Sequence, residues 1–406
     1  MQFRIFFSAF FVFTGLAIQA QTYQELAGQQ GSRVITTAVP FLMIGPDARS
    51  GGMGEIGAAS SPDVNSMHWN PAKYAFIDKD MGFGVSYSPW MRELVNDINL
   101  AYVSFHKRIN DMSAVAATMR YFSLGEIQFT NDVGQDVGTY SPNEFAIDAT
   151  YSRKFSEHLS GAVSARFIYS NLTAGQYVSG AETSAGTSIA ADIAVYYQKE
   201  VDMGNMDGEI AWGIVISNIG AKISYSETQI QRDFIPTNFR MGPRFTLNLD
   251  EYNALSFEID FNKLQVPTPP VYMTNDSTGF PVYDDAGNPV IEKGKDPNVS
   301  VVQGMIQSWY DAPYGFNEEM REWSLVFGTE YWYDKQFAVR GGFFYEDATK
   351  GNRKFFTLGA GLRYNVFGLD LSYLIPIEQQ NPLENTLRFT LLFNFDQGKG
   401  SSSGGD

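Results

Sequence analysis

Residues 143–171 read NEFAIDATYSRKFSEHLSGAVSARFIYSN, and this stretch decides the fold. Phe145, Ile147, Ala149 and Tyr151 alternate with Glu144, Asp148, Thr150 and Ser152. After the break at 156–157 the same period returns: Leu159, Val163, Ala165, Phe167 and Tyr169 alternate with Ser160, Ser164, Arg166 and Ser170. Successive strand side chains point to opposite faces, so each run has one apolar and one polar face. Each run is also long. A strand in a soluble protein usually spans about 5–6 residues. A tilted strand that crosses a bilayer needs roughly 9–11.

Working outward, the period predicts strands at 81–88, 97–107, 112–123, 143–155, 158–171, 187–199, 208–219, 237–249, 253–264, 321–333, 336–346, 354–366, 367–376 and 386–395. The connections between them alternate between long and short, as in an outer-membrane barrel with short turns on one side and long loops on the other. The reading is therefore an all-β membrane protein: a fourteen-stranded antiparallel outer-membrane β-barrel with both termini periplasmic and the long loops extracellular. Aromatic residues such as Tyr87, Tyr121, Tyr151 and Tyr373 close the apolar faces, as interfacial girdles do. The polar faces carry charges of both signs, among them Arg166, Arg240, Arg340, Asp192, Glu258 and Asp260. Charge facing lipid is costly, so these are assigned to the lumen. Two places fit less well. Strand 97–107 mixes its parity, and Pro243, which has no N–H to donate, predicts a bulge.

The 406-residue composition bounds the function. No cysteine means no disulfide framework, thiolate metal site, cysteine nucleophile or lipidated N-terminal cysteine. With 29 Lys+Arg against 45 Asp+Glu the formal charge is −16, which argues against a nucleic-acid partner. His68, His106 and His158 fall in three separate elements without catalytic spacing, so no enzyme, metal or cofactor is expected. Residues 1–20 have the order of a removable signal peptide: Arg4, an apolar core, then small Ala20. Residues 21–80, with Pro46–Asp47–Ala48–Arg49–Ser50–Gly51–Gly52–Met53–Gly54 and Ser66–Met67–His68–Trp69–Asn70–Pro71–Ala72–Lys73–Tyr74, lack strand period and read as a plug before the barrel 81–395. The Gly/Ser-rich tail 396–406 resembles vector-derived sequence and is set aside.

Those two N-terminal motifs resemble the PorV family of the type IX secretion system of Bacteroidota, within the wider FadL-like fourteen-stranded barrels. Ile216–Ser217–Asn218–Ile219–Gly220, Pro236–Thr237–Asn238–Phe239–Arg240–Met241–Gly242 and Ala338–Val339–Arg340–Gly341–Gly342–Phe343 are also similar to segments of that family. The resemblance implies a non-enzymatic carrier. It would bind the C-terminal β-domains of exported cargo at a giant translocon barrel and pass them to a surface attachment complex. A channel for long-chain hydrophobic molecules is the alternative within the same fold.

Within the plug, Asp47 and Arg49 are candidates to pair with lumen charges. Asn70 and Pro71 are candidates either to line a path or to cap a turn. The 265–320 connection is far longer than ordinary loops and is rich in acids, including Asp311, Glu318 and Glu319. Residues 299–310 predict a short amphipathic helix. Met305, Trp309, Tyr310 and Tyr314 are candidate anchors for a partner protein, because interfaces favour Trp and Tyr.

Overall fold

The computed structural model describes residues 33–396 except 91–96, 131–133, 173–176, 179–180, 203, 205, 227–231, 276–279 and 378–385. The expected signal peptide, the start of the expected plug and nearly all of the tail lie outside the described residues. No described helix is long and apolar enough to cross a membrane.

Alternation along the chain produces fourteen long strands: β1 Met81–Pro89, β2 Ile98–Asn110, β3 Ser113–Leu124, β4 Asn143–Lys154, β5 Leu159–Asn171, β6 Gly186–Asp202 and β7 Asp207–Gly220. They continue with β8 Asn238–Asn248, β9 Asn253–Leu264, β10 Trp323–Tyr333, β11 Phe337–Tyr345, β12 Lys354–Tyr364, β13 Phe367–Pro376 and β14 Leu387–Phe395. Each pairs antiparallel with its sequence neighbour, and β1 pairs with β14 from Met81↔Phe395 to Tyr87↔Phe389, closing the barrel. Closure leaves no exposed edge of unpaired backbone groups, which a bilayer would not tolerate.

The pleat sorts the side chains as expected. On β4 and β5, Ile147 is 48% and Val163 62% exposed, whereas Asp148 and Arg166, directly opposite each other, are buried. Tyr87, Tyr121, Tyr151, Tyr345 and Tyr373 all face outward. The exposed face of the wall is thus apolar and its covered face polar, the reverse of a soluble sheet. The connections 111–112, 155–158, 203–206, 249–252, 334–336 and 365–366 are short and lie at one end; the longer ones lie at the other.

The structure refines three of these readings. Pro243 does not create a bulge: β8 keeps one register on β9, from Met241↔Phe261 to Arg244↔Glu258, and pairs Pro243 with Trp212 on β7. The register shifts fall instead at Ala191/Ile193 and at Arg108/Asn110. The mixed parity of β2 has a local cause. Leu100 turns inward onto an apolar cluster with Phe41, Leu42 and Phe122, while Ser104 and His106 keep the polar inner face below it. The long connections also contain small hairpins of their own, at Ile127–Thr130 with Asp136–Tyr140 and at Val271–Tyr272 with Ile291–Lys293. These short pieces carry too few residues to show a period.

The segment before β1 runs the height of the barrel. Arg33 reaches the long-connection end, where its amide donates to the Thr349 carbonyl, and Ala38 N–H donates to the Phe234 carbonyl. Residues 33–80 then descend through the lumen to the short-turn end, where Lys79 meets Asp396 at 2.7 Å. The described chain therefore begins at one mouth of the barrel, at Arg33, and ends at the other, at Asp396.

Candidate functional site

Residues 33–80 form two short helices, α1 Ala48–Gly51 and α2 Ser66–Trp69, and two 3-10 turns, Pro40–Met43 and Pro71–Phe76. Local chemistry sets each. Asp47 caps α1 by accepting from the Ser50 amide at 2.9 Å, and its other oxygen accepts from the Trp69 indole. Asn70 Oδ1 accepts from Ala72 N–H at 3.0 Å, and Pro71 starts the turn without an orphan donor. Asn70 Nδ2 also donates to the Ala58 carbonyl and to Val195 on the wall. Asn70 thus caps its turn and also ties the segment to the wall.

The wall holds this segment with charge. Arg49 donates to both oxygens of Glu330 at 2.9 and 2.8 Å and to Asp63 at 2.8 Å. Arg340 shares Glu330 at 2.8 Å and reaches Asp370 at 2.8 Å. Asp260 accepts the amides of Gly57 and Ala58 at 2.8 and 2.9 Å, and Glu258 accepts that of Ala59 at 2.7 Å. Arg166 bridges Asp148 and Asp192 across three strands. Arg240 donates to Asn262 and lies over the Trp69 ring at 4.6 Å. All six lumen charges therefore serve the wall or its occupant. Lys73 was not singled out from the sequence; it is buried and donates to the Gly57 carbonyl and Ser60.

Below the segment, at the short-turn end, a cavity of about 910 Å³ opens among Arg49, Asp63, Glu209, Arg244, Glu330 and Arg363. Its charges are of both signs, and apolar side chains such as Val64, Ile77, Trp332 and Leu392 lie between them.

The long connection bears α3 Val301–Gln307 and α4 Phe316–Arg321. A buried ionic hub fixes it to the rim. Lys263 contacts Glu319 at 2.8 Å and Glu322 at 2.6 Å; Lys350 contacts Glu318 and Glu322, both at 2.9 Å; Arg33 joins through Glu318 at 3.1 Å. Asp311, Glu319 and Glu322 bring carboxylate oxygens within reach of one ion, but Lys263 already supplies the positive charge there. Burial pushes the Asp311 carboxyl up to about 6. Burial acts upward on Glu318 too, but its bonds to Lys350 and to the Tyr314 amide outweigh it and hold Glu318 below its usual range.

Of the four candidate anchors, Tyr310 is 57% exposed with the Lys295 ammonium 3.6 Å from its ring centre. Tyr314 is exposed between Arg33 and Lys293. Met305 is half-buried on α3. Trp309 packs edge-on against Phe239 and Trp323 at 5.5 and 5.8 Å between ring centres. The expected loop helix exists, and on it Gly304 and Gln307 are buried while Val302 and Ile306 are exposed.

The model of the family described as type IX secretion system protein PorV matches residues 27–271, more than half of the chain. The chain belongs to the PorV family. PorV membership and the closed barrel make it an outer-membrane component of type IX secretion. No curated protein matches it. Among solved structures, the Pseudomonas putida toluene transporter TodX has a TM-score of 0.47 at 10% identity, over 87% of this chain and 99% of that one. A Pseudomonas aeruginosa FadL homologue has a TM-score of 0.41 at 11% identity, over 89% and 99%.

Proposed function

We propose that this chain is a cargo carrier: it binds the C-terminal β-domain of an exported protein at the giant translocon barrel and delivers it to the surface attachment complex. In this reading the long connections face outward, the short turns face the periplasm, and residues 21–80, after removal of the signal 1–20, plug the barrel 81–395. The observation that carries it is the rim surface. Exposed Tyr310 and Tyr314, each beside a cation, stand on a connection locked by the Lys263–Lys350 hub. Rigid aromatic anchors lose little entropy on binding and dominate interface energetics. PorV membership supports the secretion setting.

The test is recovery of exported proteins with the carrier from native membranes. Replacing Tyr310 and Tyr314 by Ala together should lower cargo recovery by about tenfold, as loss of two anchors does. The temperature at which the barrel unfolds in dodecyl sulfate should not move. Undiminished recovery would refute the assignment of these anchors.

A second reading, a channel for long-chain hydrophobic molecules, draws on the apolar cluster of Val39, Phe41, Leu42, Leu100, Phe122 and Ile168 inside the long-connection end. The charged cavity beneath weighs against a continuous apolar route. Uptake of a labelled fatty acid by vesicles bearing the purified protein would favour this second reading.

A further inference from the structure

We infer that α3 and α4 of the long connection lie in the membrane interface at that end of the barrel, with their outward faces in contact with lipid. A surface helix of a soluble protein buries its apolar stripe and wets its polar one. Both helices instead expose large apolar side chains, although Gln303, Asn317 and Arg321 are exposed beside them. On α3, Val302 and Ile306 are 66% and 59% exposed, and Trp309 follows one turn on, so 302, 306 and 309 share one stripe. The docked face is made by Gly304 and Gln307. A Cβ added at Gly304 would stand 2.9 Å from the Phe234 ring and 3.1 Å from Pro267, so the helix is pressed onto the rim by its smallest residue. On α4, Glu318 and Glu319 turn into the hub while Phe316 and Met320 turn outward, and Trp323 follows at the next turn.

The two stripes converge. Trp309 and Trp323 stack edge-on above Phe239, also 6.1 Å from Trp323. Phe239 and Trp323 have the parity of the outward-facing Met241 and Phe327 on the same strands. The stripes are therefore continuous with the lipid-facing wall, and share its polar-in, apolar-out order. The chain agrees: residues 299–310 contain no charge, although they sit in a highly acidic connection. Helices with one apolar face and aromatic anchors settle at the headgroup–acyl boundary. The cations mark the opposite side. Lys295, Lys293 and Arg33 cluster on Tyr310 and Tyr314, leaving those two rings on the aqueous flank. One apolar surface is thus divided: the Trp309 stripe for lipid, the tyrosines for a protein.

The absence of cysteine makes the test direct. Single cysteines at Val302, Ile306 and Met320 would each carry a nitroxide in full-length protein reconstituted into phosphatidylcholine vesicles. Ile147→Cys serves as the lipid reference and Asp285→Cys as the aqueous one. The expected result is collision with oxygen in excess of collision with a nickel chelate at all three sites, as at Ile147. A nickel-accessible pattern like that of Asp285 would overturn the inference, as would protection that arises only when a partner protein is added. Unlabelled protein gives a second reading that needs no cysteine. Brominated lipid should quench the native tryptophan emission, and Trp309→Phe should reduce the quenchable fraction; an unchanged fraction would also overturn it.

Discussion

Single residues show how the charge inside this barrel is neutralised. Glu330 faces Arg340 across the β10–β11 ladder and also receives both donors of Arg49 from the segment in the lumen. Removing this shared buried carboxylate takes one partner from each of two guanidinium groups, leaving Arg49 on Asp63 and Arg340 on Asp370. Breaking one buried pair costs about 3–5 kcal/mol. Glu330→Ala should therefore lower the unfolding temperature markedly in a heat-modifiability gel, and Glu330→Gln less. Asp311 acts in the other direction. Its folded-state pKa of about 6 lies above the ordinary 3.8, so the folded form holds the proton more firmly. Docking of the long connection should then strengthen as pH falls from about 6, and weaken as pH rises through it. Glu318, held low, opposes this only once the pH falls through the ordinary carboxylate range. Asp311→Asn should flatten the dependence between about pH 6.5 and 5. The readout is proteolysis at Lys293 and Lys295, measured against a cleavage site elsewhere in the chain. The sequence announced that Asp148, Arg166 and Arg340 face the lumen, because period two is fixed by the pleat. It could not announce that Asp260 accepts two backbone amides of Gly57 and Ala58, some two hundred residues away, since no local pattern encodes that meeting.

Among elements, the strands were legible and the connections were not. All fourteen strands follow from alternation, with ends displaced by only a few residues. The helix at 301–307 was also legible as a helix, but its sidedness was not, because amphipathicity alone does not say which medium lies on the apolar side. The wall itself is fitted to its occupant by close contact. A Cβ at Gly342 on β11 would fall 2.0 Å from the Met53 carbonyl carbon, and one at Gly213 on β7 would fall 2.0 Å from the Ala58 oxygen. Backbone packs on backbone there, which only glycine permits. Gly342→Ala should cost about 1–3 kcal/mol as overpacking, seen as a lower melting temperature in detergent. Gly341→Ala, where the nearest atom is 3.7 Å away, should leave that temperature nearly unchanged. This contrast between adjacent glycines was invisible in the sequence, where both belong to the same family motif.

At the level of the whole molecule, the lumen is occupied along its height by residues 33–80, and the cavity below them is charged. Deleting 33–77 while keeping residues 1–20 and the wall should raise ion conductance well above that of the intact chain in planar bilayer recordings. Unchanged low conductance would mean that the long connections alone seal it. The wall pairs Arg340–Asp370 and Arg166–Asp192 do not involve the segment and would survive the deletion, so the barrel has reason to stay closed.

The β1–β14 seam has a further consequence, given that Arg33 and Asp396 lie at opposite mouths. The molecule is a ring threaded on its own strand. A single cut between Phe76 and Met81 would leave two fragments with no covalent link, the inner one held in the lumen only by contacts such as Arg49–Glu330 and the Gly57 and Ala58 amides on Asp260. With the seam closed the inner fragment can leave only along the lumen axis, so co-migration of the two fragments in a barrel that stays folded would report the strength of those contacts.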